Sequence, residues 1–157
     1  MARVVCPLLY GAAAGAAGTA VLDVISYADM ALRGRPASST PETTVRKLAE
    51  RLHWRIPGTG PVQDNRIVGL GALTGLAAGI GMGAALGLGH AAGRRPALGT
   101  QYAVAVAGAL VATNGPMVAL GVTDPRTWSA SDWVADLVPH IGYAAVTVTV
   151  LNRLIGD

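Results

Sequence analysis

Phenylalanine is absent from this 157-residue chain, and cysteine occurs once, as Cys6. A single cysteine excludes an intramolecular disulfide framework and a cysteine-based zinc site. Charge is scarce as well. Charged residues make up 13% of the chain, against about 25% in ordinary soluble domains. Neither G-K-[ST] nor H-E-x-x-H occurs, so neither the phosphate-loop nor the zinc-helix chemistry has its ligands. Aromatics contribute only 4%, too few for the stacking platforms and reader folds of nucleic-acid binding. The isoelectric point near 9.5 therefore needs another explanation. The basic residues sit in connecting segments, where an anionic membrane surface is the fitting partner and nucleic acid is not.

What remains is apolar and small. Hydrophobic residues reach 52% and the mean hydropathy is +0.45, built from Ala, Gly, Val and Leu. With Lys47 the sole lysine, the Ala, Gly and Arg bias fits a GC-rich bacterial genome. Four long apolar runs stand out: Val4 to Ala31, broken by Asp23 and Asp29; Ile67 to Ala92; Tyr102 to Val122; and Leu137 to Ile155, charged only at Arg153. A bilayer-spanning helix needs about 20 apolar residues. The second and third runs also lack the polar face of a soluble core helix. The first run continues past any Ala-x-Ala site, which favours a span over a cleaved leader. The pattern predicts an all-α membrane protein, one membrane domain over 1–157. Its transmembrane helices fall at about 4–31, 67–92, 101–122 and 137–155, in a compact Gly/Ala-rich bundle.

The second run contains GALTGLAAGIGMGAALG, with glycine at Gly71, Gly75, Gly79, Gly83 and Gly87. Gly79 to Ala84 matches the G-x-G-x-x-A dinucleotide pattern. That pattern has meaning only between a strand and a helix, with an acid about 20 residues on, and the next acid here is Asp124. Close helix packing is the remaining explanation, because small residues let membrane helices gain dispersion contacts. Positions four apart advance about 400° on a helix, so the ridge drifts and predicts a central helix with at least two partners. Gly11, Gly15 and Gly18 give the first helix matching small-residue ridges.

Arg33, Arg35, Arg46, Lys47, Arg51, Arg55 and Arg66 lie between the first two runs, and Arg126 between the last two. They outnumber Arg3, Arg94, Arg95 and Arg153 on the other side. The positive-inside rule then places 33–66 in the cytoplasm and both termini outside. Within that connection Thr40 reads as an N-cap and Pro41 as the first helical position. Val45, Leu48, Leu52 and Ile56 recur at helical spacing, so an amphipathic helix is expected at about 41–54. It lies either on the membrane interface beside Trp54 or against the end of the bundle.

Three polar groups interrupt the apolar runs. Asp23 and Tyr27 share a face near the end of the first helix. An intramembrane carboxylate is a functional candidate, unless Asp23 simply pairs with Arg33 or Arg35. Asp136, His140 and Tyr143 recur at i, i+4 and i+7, a spacing that suits a proton relay or a polar cap beside Trp128 and Trp133. By the orientation above, Asp23 could join them. In Thr113-Asn114-Gly115-Pro116, Pro116 predicts a kinked or broken helix that frees Asn114 to hydrogen-bond inside the bundle.

The stretches Gly11-Ala-Ala-Ala-Gly-Ala-Ala-Gly-Thr19 and Arg33-Gly-Arg-Pro-Ala-Ser-Ser-Thr-Pro-Glu42 resemble the opening of uncharacterised small multi-pass membrane proteins of actinobacteria. The resemblance covers the first third of the chain and implies a multi-pass membrane location, with no activity attached. The membrane-embedded glutamate of small multidrug exporters is missing. With no nucleophile–base pair and no metal or cofactor motif, the expectation is a non-catalytic plasma-membrane protein. It would be an accessory or homo-oligomer-forming subunit of a membrane complex, packed through glycine ridges. The alternative is a small transporter or proton- or cation-linked channel.

Overall fold

The computed structural model describes residues 2–156, with side chains from Val4 onward; the side chain of Arg3, counted above, lies outside them. The regular structure among the described residues is all helical, with no strand. Five helices form: α1 (Ala2–Arg33), α2 (Thr40–Arg51), α3 (Pro61–Ala91), α4 (Leu98–Ala119) and α5 (Ala130–Ile155). A single 3-10 turn, Pro125–Thr127, lies between α4 and α5. The four long helices run up and down in a ring, α1 against α3, α3 against α4, α4 against α5 and α5 against α1. The α2 helix packs on the first turns of α3 and touches the end of α4.

All four long helices are long and apolar enough to cross a membrane. The burial pattern agrees. Leu32, Val24, Val111 and Leu73 point outward and stay exposed, the inverse of a water-soluble bundle, whose outer faces are polar. Inside, small residues dominate: Ala105 and Ala109 of α4 lie against Tyr143, Ala144 and Val148 of α5.

Several helices begin before their apolar runs because a polar first turn precedes each span. Helix α3 starts at Pro61, which needs no amide partner at the first position. Helix α5 opens on a capping box, in which Ser129 accepts from the Asp132 amide and Asp132 accepts from the Ser129 amide. The cap of α2 is Ser39, one residue before the expected Thr40, and its carbonyl accepts from the amide and hydroxyl of Thr43. That helix ends at Arg51, short of the expected end, because His53 turns into the left-handed region at φ 52°. The Trp54 amide then bonds back to the Ala49 carbonyl at 2.8 Å, the C-terminal capping pattern.

Helix α4 runs unbroken through Pro116, so of the kinked or broken helix expected there, the break does not occur. Proline removes one helical hydrogen bond, but packing on α3 and α5 holds the flanking turns. Val45 and Ala49 of α2 are buried with Ile56 and Ile67, so that face meets the bundle end, while Leu48, Leu52 and Trp54 remain exposed.

Candidate functional site: a glycine seam and a polar cluster

Helices α1 and α3 meet backbone to backbone. A Cβ built on Gly83 would lie 2.6 Å from the Gly15 Cα and 2.7 Å from its nitrogen. One on Gly15 would lie 2.5 Å from the Gly79 carbonyl oxygen, and one on Gly87 would lie 2.9 Å from the Pro7 carbonyl carbon. Gly11 meets the Gly83 carbonyl in the same way. These neighbours are backbone and cannot swing aside. Gly79, Gly83 and Gly87 therefore form one seam with Gly11 and Gly15, running along about two helical turns. Gly71 faces elsewhere, onto Pro41 of α2, with its Cβ site 3.1 Å from the Pro41 Cβ. Gly75 has open space around it. Gly18 faces α5, where a Cβ would lie 2.8 Å from the Tyr143 carbonyl oxygen.

Tyr143 is 1% exposed and reaches across this contact. Its hydroxyl donates to the Gly79 carbonyl at 2.7 Å, tying α5 to α3. Thr19, on the same seam, donates to its own helix at the Gly15 carbonyl, 2.9 Å away. The i, i+4, i+7 series therefore divides. Tyr143 serves the seam with α3, while Asp136 and His140 turn toward α4.

That second pair is held by the tight α4–α5 connection. Gly121 leaves α4 at φ 64°, Asp124 caps the 3-10 turn, and Trp128 and Trp133 meet edge to face at 5.0 Å. Trp128 donates to the Thr123 hydroxyl at 2.8 Å. With the connection fixed, Asn114 donates to the Asp136 carboxylate at 2.9 Å. His140 Nε2 lies 3.2 Å from the Thr113 hydroxyl, and Nδ1 lies 2.7 Å from the Asp136 carbonyl oxygen. Both oxygens beside Nδ1, that carbonyl and the Asp136 carboxylate at 3.7 Å, are acceptors. Nδ1 therefore carries the ring hydrogen. Thr113 also lies 3.0 Å from the Ala109 carbonyl, so rotating its one hydroxyl hydrogen serves either that oxygen or Nε2. The His140 side chain is 7% exposed and that of Asp136 is 22% exposed. Chemically the cluster is a short chain of hydrogen bonds joining two helices.

Asp23 and Tyr27 are not part of it. Both face outward from α1, and Asp23 does not pair with Arg33 or Arg35. Asp29 takes both arginines instead, Arg33 in a fork at 2.6 and 2.7 Å and Arg35 at 2.5 Å. Spacing explains this. Asp29 stands four residues before Arg33, one turn away on the same face, whereas Asp23 is ten residues, about 15 Å, distant.

Sequence reasoning counted Lys47 among the basic residues of the first connection and Thr113 in the stretch around Pro116, but gave neither a partner. The Lys47 ammonium bonds the Leu120 and Gly121 carbonyls at 3.2 and 2.8 Å, a cation at the C-terminus of α4. The signal for it was a lone lysine among arginines, and only the packing of α2 identifies its target. Arg46 bonds Asp64 at 2.7 Å, fixing α2 to α3 from the other side.

Two open grooves lie beside α2. One, about 370 Å³, is lined by Arg46, Glu50, His53, Trp54, Arg55 and Gln63 over a floor that includes Ile56 and Ile67. The other, about 380 Å³, is lined by Lys47, Glu50, Arg51 and Leu120. Neither reaches Asp136 or His140.

No protein-family model, curated protein or solved structure matches this chain.

Proposed function

We propose that this chain is a non-catalytic multi-pass protein of the bacterial plasma membrane, an accessory or assembly subunit whose polar side chains act as fasteners between helices. One observation carries this. Asn114, Asp136, His140 and Tyr143, the side chains best suited to chemistry, each bond to a neighbouring helix or to the backbone within the bundle. The glycine seam supports the same reading, since it brings α1 and α3 to a separation that only packing requires. The orientation proposed is 33–66 in the cytoplasm with both termini outside, because the basic residues gather at the α2 end. There the groove holding Arg46, His53, Arg55 and Trp54 suits an anionic lipid headgroup above an apolar floor.

The convergence of Asn114, Asp136 and His140 favours a second reading, a small proton- or cation-linked transporter. Proteoliposome flux separates the two. The fastener reading expects proton and cation fluxes equal to those of empty liposomes, in wild type and in Asp23→Asn, Asp136→Asn and His140→Gln alike. A wild-type flux that Asp136→Asn or His140→Gln abolishes would replace it with the transporter.

A further inference from the structure

On the reading of the four long helices as membrane spans, Asp23 lies at the wrong place for an isolated bundle. It is about 15 Å along α1 from Arg33, half the thickness of a hydrocarbon core of about 30 Å. Its level is fixed by α5, because Gly142, within the uncharged part of α5, sits against Val21 and Ile25 on either side of it. Intramembrane acids normally face the bundle interior or a water-filled cavity. Asp23 faces outward, and among the described residues its carboxylate makes no hydrogen bond or ion pair. Tyr27, one turn on, is 63% exposed and equally without a partner.

The sequence around Asp23 supplies a second, independent pattern. Ala13, Ala16, Ala20, Asp23, Tyr27 and Met30 follow one another at alternating steps of three and four. That is the a/d spacing of a left-handed helix pair. This outer stripe lies opposite Gly11, Gly15 and Gly18, whose face is already occupied by α3 and α5. Alanine on its first half permits close backbone approach. A single polar residue at such a position sets register and partner number.

We propose that the outer face of α1 is a homodimer interface, occupied by the α1 of a second copy in parallel. Two copies inserted by the same charge rule share one orientation, so a two-fold axis along the membrane normal brings Asp23 of each to the same depth. In parallel a/d packing, a d-position side chain enters the hole bordered by the next a-position of its partner. Each Asp23 carboxyl thus accepts from the Tyr27 hydroxyl of the other copy, twice by symmetry. The stripe carries both acceptor and donor, which makes it complementary to itself and leaves no need for a cation from a different protein.

The test is cross-linking of the full chain in native membranes, after confirming that alkaline carbonate leaves it in the membrane fraction. In a Cys6→Ser background, Ala20→Cys should give a cross-linked dimer, and Leu73→Cys, on the exposed outer face of α3, should not. Asp23→Leu and Tyr27→Phe should each weaken the dimer in detergent about tenfold, the effect of losing two interhelical hydrogen bonds. Tyr27 is mostly exposed and its hydroxyl has no partner among the described residues, so the phenylalanine variant removes no bond within the bundle and keeps the test valid. Membrane-retained protein that fails to cross-link at Ala20, cross-links alike at Leu73, or is captured there by a different protein overturns the interface alone. Release by carbonate overturns the membrane reading and the interface with it.

Discussion

Replacing Gly83 by alanine adds one methyl group, and its effect can be worked from the seam. The new Cβ would sit 2.6 Å from the Gly15 Cα and 2.7 Å from the Gly15 nitrogen, with the Gly11 carbonyl nearer still. Carbon atoms pack best at about 3.5–4.0 Å, so the two helices must separate locally by about 1 Å. None of the crowded atoms belongs to a side chain that could rotate away. Overpacking of this kind costs about 1–3 kcal/mol, occasionally more. The gain in helix propensity from glycine to alanine, at most about 1 kcal/mol, offsets part of it. Gly75→Ala is the internal control. It lies on the same helix, gains the same propensity, and meets nothing within 4 Å. The expected order is Gly75→Ala equal to or above wild type and Gly83→Ala about 2 kcal/mol below Gly75→Ala. The assay is reversible unfolding in one detergent, titrated with SDS and followed by circular dichroism. Equal midpoints for the two alanine variants would refute a close-packed α1–α3 seam.

Other outcomes follow from single contacts. Tyr143→Phe should destabilise by about 0.6 kcal/mol and at most about 1.7, the range for hydrogen bonds in membrane bundles. Tyr143→Ala, which empties a fully buried site, should cost about 3–5 kcal/mol in the same titration. Asn114→Ala should loosen the α4–α5 pair, raising backbone hydrogen exchange at Asp136 to His140 and leaving the α1–α3 seam protected. For orientation, Ser38→Cys in a Cys6→Ser background should resist an impermeant thiol reagent applied outside cells, and Ala97→Cys should react; the reverse result inverts the topology. Outside the spans, the hydrogen bond from the Arg126 side chain, joined by its backbone amide, holds the Asp124 carboxyl below the usual carboxylate range. Its folded value is lowered, so the contribution is present above the unfolded-state value and fades as pH falls through the folded one. A carbon-detected titration should show Asp124 titrating low in wild type and closer to the ordinary value in Arg126→Gln, where only the backbone amide bond remains.

Some of this architecture could be read directly from the residues. Four predominantly apolar runs of about 20 residues or more dictate long helices whatever surrounds them, because length and apolarity are local properties. The glycine ladder likewise announced close packing, since nothing else favours glycine every fourth residue in a helix. Which neighbour each glycine meets was not legible. Gly71 faces α2, Gly75 faces open space, and Gly79, Gly83 and Gly87 face α1. A ridge that rotates about 40° per step reaches different surroundings at each turn, and these depend on how four helices are arranged around it. The polar residues divide in the same way. Asp136 and His140 share a face by spacing alone, one turn apart. Their bonds to Asn114 and Thr113 exist only because the α4–α5 connection sets the register of two antiparallel helices. Asp23, Asp29 and the arginines show the limit most clearly. All three kinds of residue were visible in one short stretch. The choice of Asp29 followed from one turn of helix and the bend after Arg33, geometry that forces charges of opposite sign together and leaves Asp23 on the outer face of α1.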